Sequence, residues 1–313
     1  MRDILSPPTM PTPQTTKPAP APVPWSSHPG RPRGYLLAAG HRPGLLDEIA
    51  SLRTIIEQHI EIVLTDLHFE HDLTTVEADL AVVLGGDGSI LRAALQMQEQ
   101  QTPILGVNLG KLGFLASVPP TELAAILPGV VGGECRVVEH LMLRCTVFSG
   151  GQPVAETLGL NEVAIFAGPP FSMLRADLYV DAELATTYAC DGLIISTPVG
   201  STAHSLSAGG PILRKTLAAF VICPICPHTL TVRPVVDSAD RVYEVVVPQP
   251  SEGTTVVVDG RPLWRLRPND RVRVVRAEPK FKLIEPRGQS YYQTLRDKLG
   301  WAGNLYQSQS PRP

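Results

Sequence analysis

Apolar residues along this 313-residue chain follow two rhythms. In the first, short apolar runs alternate with stretches of helical spacing. Gly34-Tyr-Leu-Leu-Ala-Ala-Gly is an apolar strand. Leu45, Leu46, Ile49, Leu52, Ile55 and Ile56 then recur every three or four residues, which puts them on one face of a helix. Ile60 to Leu64 and Leu80 to Leu84 read as further strands, the latter running into glycines. From Ser89 to Gln98 the helical spacing returns, with Ser89 placed to cap its start. Ile104 to Val107 is another apolar strand. Strands alternating with helices predict a parallel sheet covered by helices.

The rhythm changes after Val118. LMLRCTVF, LRADLYVD, RVYEVVV, TTVVVDG and RVRVV are short and rich in β-branched residues, with Gly150-Gly151, Gly253 and Asp259-Gly260 between them. They predict a β-rich, sandwich-like second domain of mostly antiparallel strands. SYYQTLRDKLGW is helical again and is expected to fold back on the first domain. The expected division is a leader at 1–33, an α/β domain at 34–118, a β-rich domain at 119–281, a returning segment at 282–305 and a tail at 306–313. No internal repeat stands out.

Composition refines this picture at the N-terminus. Ten of the 31 prolines precede Gly34, so the leader keeps neither helix nor ladder and is expected to be disordered and dispensable. The 27 basic and 30 acidic side chains leave a formal charge of −3, which gives no reason to expect a nucleic-acid or membrane partner. No apolar run reaches the ~20 residues of a membrane span. MRDILSPPTM lacks the apolar core of a secretory signal, and five scattered cysteines do not form a disulfide framework. A reducing, cytoplasmic protein is the expectation.

Two stretches carry candidate chemistry. In VVLGGDGSIL, residues 82–91, a strand meets a helix through glycines, so free amides and the helix dipole face one crevice. The stretch is neither a Walker A loop nor the GxGxxG fingerprint. Phosphate suits those amides; Asp87 does not, unless it serves an acceptor hydroxyl as its base. The plainer alternative is a turn stabilised by the Asp87 side chain. The second stretch, DGLIISTPVGSTAHSLSAGGP at 191–211, follows a strand with Thr197, Ser201, Thr202, Ser205 and Ser207 among glycines. It reads as a surface for a flat polar ligand or as a Ser/Gly-rich loop. Cys223, Cys226 and His228 lack the fourth ligand of a structural zinc site. His68, Glu70, His71 and Asp72 read as a solvated loop, so no metal site is assigned.

With these stretches in view, the chain resembles the NAD kinases, which phosphorylate the adenosine ribose of NAD to make NADP. LGGDGSILRAA, GVNLGKLGFLA, LNEVAI, DGLIISTPVGSTAHSLSAGGPI, PICPHTLTVRP, VVVDGRP and LRDKLGW occur in the family's order, spanning residues 34 to 305. The resemblance implies the NAD kinase/diacylglycerol kinase-like fold, with the site between an α/β and a β-rich domain. It implies Asp87 as the base at the 2′-hydroxyl, with Gly86, Gly88 and Arg92 beside it. It implies Asn161 and Glu162 as holders of NAD, Phe114 with Thr202, Ala203 and His204 around the adenine, and Asp191 toward the nicotinamide. Ser205, Leu206, Ser207 and Arg261 complete the nucleotide-binding set. Mg²⁺ or another divalent cation is implied to arrive with ATP, polyphosphate being the other donor, and a homodimer or homotetramer is implied. Three positions depart from the family pattern: His204 stands where tyrosine is common, Ala189 where a base is frequent, and Arg261 where glutamine is. A lipid kinase sharing GGDG and a non-catalytic NADP(H)-binding regulator are the alternatives.

Overall fold

The computed structural model describes Trp25 and residues 30–39, 45–110, 113–169, 173–288 and 291–300. Its first region comprises β1 (Arg33–Ala38), α1 (Leu45–Glu57), β2 (Glu61–Asp66), β3 (Leu80–Gly85), α2 (Asp87–Gln96), β4 (Ile104–Asn108) and α3 (Leu123–Val131). The strands lie parallel in the order β2-β1-β3-β4. Alternation along each strand sends Leu36, Val82, Leu84, Leu105 and Val107 to one face, under Ile49, Leu52 and Ile56 of α1 and Leu123, Leu127 and Val130 of α3. Tyr35, Leu37, Ala81 and Val83 face the other way, under Ile90, Ala93 and Ala94 of α2 and Met97 just after it. Apolar residues on both faces explain why these strands read as unbroken apolar runs.

Two local expectations need correction. Helix α2 begins at Asp87 behind an extended Gly86, so Ser89 is its third residue and caps nothing. The glycines let β3 turn directly into the helix, which sets the acid in the first turn, where the dipole favours it. Helix α3 was not read from the sequence at all. Its short apolar stretch contains Pro128 and Gly129 and is followed by Gly132 and Gly133, which read as breakers.

The second region comprises β5 (Cys135–Ser149), β6 (Gln152–Gly159), β7 (Glu162–Phe166), β8 (Leu174–Val180), β9 (Glu183–Cys190), β10 (Gly192–Ser196), α4 (His204–Ser207), β11 (Ala219–Ile225), β12 (Val235–Ser238), β13 (Tyr243–Val246), β14 (Thr255–Val258), β15 (Arg261–Arg265) and β16 (Arg271–Pro286), followed by α5 (Tyr291–Leu299). One antiparallel sheet runs β12-β11-β10-β7-β14-β15. The other continues the parallel sheet, because the far end of β16 meets β4 at Leu283–Ile104 while its first half pairs with β13 and β5. A register shift between Arg276 and Lys280 brackets Pro279, where the missing N–H does no harm. Leu143, Val147, Leu178, Tyr243 and Val272 from this sheet meet Val163, Ile195, Phe220 and Val256 from the other in one core. Phe220 and Tyr243 pack edge to face at 5.7 Å. The sandwich is therefore welded to the α/β region through a shared sheet.

Helix α5 lies against both regions, touching Leu213 of the second and Phe114 of the first. Leu295 is buried, the Tyr291 hydroxyl donates to the Leu213 carbonyl, and Lys298 lies over the Phe114 ring at 5.5 Å. The leader lies outside the described residues apart from Trp25 and residues 30–33. Trp25 bears on the expectation that the leader is dispensable. Its indole packs beside α3 and donates to the Val130 carbonyl.

Candidate active site

At the carboxyl end of β3 the chain presents Gly86, Asp87 and Gly88. A Cβ on either glycine would touch nothing, so both backbones face open space. The carboxylate reaches the loop after β4. Its Oδ2 accepts from Phe114 N at 2.7 Å, and its Oδ1 accepts from Leu115 N and Ala116 N at 2.9 and 3.0 Å. A carboxylate offers about four lone-pair positions. Among the described residues three are used, and the remaining one is on Oδ2. Gly113 makes the fit feasible, since a Cβ there would lie 2.0 Å from Oδ1. The turn-holding and hydroxyl-facing readings of Asp87 are thus compatible in one side chain.

A second carboxylate repeats this device. Asp259, at the β14–β15 turn, accepts from Leu160 N, Asn161 N and Glu162 N at 2.7, 2.8 and 3.0 Å. Burial raises its pKa, opposed by those amides and by Arg261. The VVVDGRP motif gives no sign of a task for Asp259; in the structure it holds the Asn161-Glu162 pair. Glu162 is buried, and its Oε2 has no hydrogen-bond partner among the described residues. Burial first, and the neighbouring Asp259 second, push its pKa up to about 8. An orphaned buried carboxyl oxygen calls for a partner from outside the protein, a water or a ligand.

The hydroxyl-rich stretch divides into scaffold and outer surface. Thr197 Oγ1 donates to the Leu160 carbonyl at 2.5 Å, and Ser196 Oγ donates to the Asn161 carbonyl at 3.3 Å. Ser201 Oγ donates to the Pro198 carbonyl and accepts from Leu213 N. Gly200 lies so close to Asn161 that a Cβ would sit 2.2 Å from its carbonyl oxygen. The expected array of ligand-facing hydroxyls is therefore largely internal here, because this segment is pinned between Asn161 and Leu213. Ser205 is also buried, its hydroxyl against Gly210. Thr202, Ala203 and Leu206 are half-buried, whereas His204 and Ser207 are exposed. The His204 ring stacks on Phe166 at 5.5 Å. Phe166 pairs with Gly192, so His204 comes to the Asp191 end of β10.

Asp191 is exposed and meets His228 Nε2 at 3.3 Å, which gives that histidine a partner other than a metal. Cys223 is buried in β11 and Cys226 is exposed; among the described residues no three potential ligands gather for a metal ion. Arg92 projects from α2 over Phe69 at 6.0 Å. That loop hangs on Asp66, which accepts the amides of His68, Phe69, Glu70 and His71 and so has its pKa lowered despite burial. Arg261 is exposed beside the Asp259 turn.

The two carboxylate-held loops rest on one core. Ile90, Leu115 and Ala116 pack with Leu158, Leu160 and Val199. Asp87, Phe114, Asn161, Glu162 and the 197–204 turn are thereby gathered at the junction of the two regions. A parallel sheet that presents bare backbone and a helix N-terminus at its carboxyl edge, beside an orphaned carboxyl, defines a nucleotide-binding α/β protein.

Comparison with known proteins makes this specific. Residues 44–135 match the ATP-NAD kinase N-terminal domain, and residues 160–286 match the ATP-NAD kinase C-terminal domain. An NAD kinase of Rhodopirellula baltica is 51% identical over 274 residues, 88% of each chain. One of Geobacter metallireducens is 40% identical over 85% of this chain and 97% of its own. Yeast NADH kinase, solved with NADH, superposes with a TM-score of 0.79 at 21% identity, covering 87% of this chain and 89% of its own. An Archaeoglobus fulgidus NAD kinase, solved with ATP, gives 0.68 at 26% identity over 86% and 97% of the two chains. The chain belongs to the NAD kinase family. It is a phosphotransferase whose substrates are NAD and ATP, and among the described residues no helix is long and apolar enough to cross a membrane.

Proposed function

We propose that Asp87 is the base of this NAD kinase and that the two carboxylate-held loops position its dinucleotide. The observation that carries the reading is the one lone pair on Oδ2 that no described residue takes, beside glycines with open backbone. The adenosine ribose lies against Gly86 and Gly88 with its 2′-hydroxyl toward Oδ2. The 2′-oxygen forms a bond to the γ-phosphorus of ATP as the bond from that phosphorus to the β,γ-bridging oxygen breaks. The hydroxyl proton passes to Asp87, and ADP and NADP leave. Phosphoryl transfer of this kind depends mainly on alignment and charge stabilisation. Asn161 and the orphaned Glu162 Oε2 receive ribose hydroxyl and base donors. Arg92, Phe114, Asp191, Arg261 and the turn from Thr202 through Ser207 border the same nucleotide.

Among the described residues Asp87 has a single lone pair left, which suits a hydroxyl rather than a metal. A divalent cation such as Mg²⁺ therefore arrives on the phosphates of the donor, ATP or polyphosphate, which supply its ligands together with water and offset their charge. Five free cysteines support a reducing, cytoplasmic setting. Exposed Val235 and Val236 on the edge strand β12, with Leu230 nearby, support assembly into a homodimer or homotetramer.

Incubating the protein with NAD, ATP and Mg²⁺ and assaying NADP tests the activity. Asp87→Asn tests the base. Its loss is expected to lower turnover about 10²–10⁴-fold, the usual worth of a positioned base. NAD binding, read by calorimetry below the melting transition, is retained. The substitution also turns an amide NH₂ toward a loop N–H, so stability falls by about 1–3 kcal/mol. Near-normal turnover would leave Asp87 as a turn residue alone.

A further inference from the structure

Lys215 lies between α4 and β11 and is 9% exposed. Its ammonium donates to the Phe114 carbonyl at 2.7 Å. That carbonyl belongs to the same peptide group as the Leu115 N–H, which donates to Asp87 Oδ1 at 2.9 Å. A continuous line therefore runs from Lys215 Nζ through one peptide to the Asp87 carboxylate. A cation at one end of such a line draws electron density from the carbonyl and makes the N–H at the other end a stronger donor. Burial disfavours the ammonium, while the charges of Glu285 and Asp87 favour it. His140 packs beside it among buried residues, and among the described residues neither ring nitrogen has a partner in hydrogen-bond geometry, although the Lys215 main chain is adjacent. Burial, helped by the Lys215 charge, lowers the His140 pKa to about 4, so the imidazole is neutral there.

If this site only needed filling, an apolar side chain would serve better. A buried ammonium held by a carbonyl is poorly compensated, and exchanging buried ionic groups for apolar ones of similar volume is often neutral or stabilising. We propose that Lys215 is a positioning residue for phosphoryl transfer, fixing Asp87 through the Phe114–Leu115 peptide so that Oδ2 meets the ribose hydroxyl. The inference rests on the reading of Asp87 as the base. Lys215 itself touches neither substrate in this scheme.

The test compares Lys215→Met, Asp87→Asn and the double variant in the full-length protein with NAD, ATP and Mg²⁺. Lys215→Met is expected to lower kcat on the order of tenfold, with the Kd for NAD within about twofold and the melting temperature unchanged or higher. In the Asp87→Asn background the same substitution is expected to cost no more than about twofold, because the two residues act as one unit. Wild-type kcat in Lys215→Met would overturn the proposal, as would losses that multiply in the double variant. Wild-type kcat in Asp87→Asn would instead remove the reading beneath it. Should Lys215→Met fail to fold, Lys215→Gln keeps a donor without the charge. A kcat loss that depends on Asp87 then supports the proposal, and an unchanged kcat refutes it.

Discussion

Glu162 is where burial and binding compete most directly. In the free protein it has an unpaired Oε2 and a buried carboxylate for a neighbour, so its pKa stands at about 8 against 4.5 in the unfolded chain. Above pH 4.5 the unfolded chain gives up this proton while the folded one keeps it, so stability falls as pH rises. The loss levels off above pH 8, where both states are ionised. A shift from 4.5 to about 8 is worth up to about 5 kcal/mol. Glu162→Gln, which cannot ionise, should therefore melt at least about 3 °C above the parent at pH 8.5, as 1 kcal/mol gives in a domain of 150–250 residues. The two should converge near pH 4.5. Thermal melts without nucleotide across that range check it, and a pH-independent difference would show that Glu162 carries no buried charge. On the proposed role of Glu162 as a receptor for the dinucleotide, the same substitution is expected to weaken NAD binding as well.

At the scale of elements, legibility tracks how local the cause is. The strands of the parallel sheet and helix α1 were readable because period and burial agree along a few residues, as in Leu36–Leu37 or Ile49–Leu52–Ile56. The roles of Asp259 and Gly113 were not, because each depends on a partner far along the chain. Asp259 meets amides 97 to 99 residues away, and Gly113 matters only because Asp87 lies against it. Lys215 gave no signal either, since its partner, Phe114, is 101 residues back. Helix α3 was hidden by composition, as its exposed Pro128 reads as a stop. That proline removes the amide that would bond the carbonyl four residues earlier, and packing on the sheet through Leu123, Leu127 and Val130 carries the helix regardless. Pro128→Ala restores the bond without disturbing the buried face. A net gain of about 1–2 kcal/mol is expected after the flexibility regained by the unfolded chain is counted. An unchanged or lower midpoint of urea unfolding would mean that α3 is already relaxed around the proline.

At the scale of the whole molecule, the proline-rich leader divides at Trp25. The proline spacing argues that most of it has nothing to bury, yet Trp25 sets its indole on α3 and donates to the Val130 carbonyl. Helix α3 packs against α1 and the strand face that carries Leu84, the last apolar residue before the GGDG turn. Losing the indole should therefore loosen the outer layer of the α/β region, while the β-sandwich core, built from other residues, stays intact. A half-buried tryptophan with one hydrogen bond is worth less than the 3–5 kcal/mol of a fully buried one, about 1–2 kcal/mol. Removing residues 1–24 should leave the melting temperature and turnover within error of the full chain. Removing residues 1–29 should lower the melting temperature by about 2–8 °C, and Trp25→Ala in the full chain should reproduce that drop. Turnover at 25 °C should change by less than about threefold in both, because the loops that hold Asp87 and Glu162 rest on a different core cluster. Equal stability for the two truncations would mean that the indole adds nothing in solution. A large loss on removing residues 1–24 would mean that the prolines before Trp25 also pack on the domain.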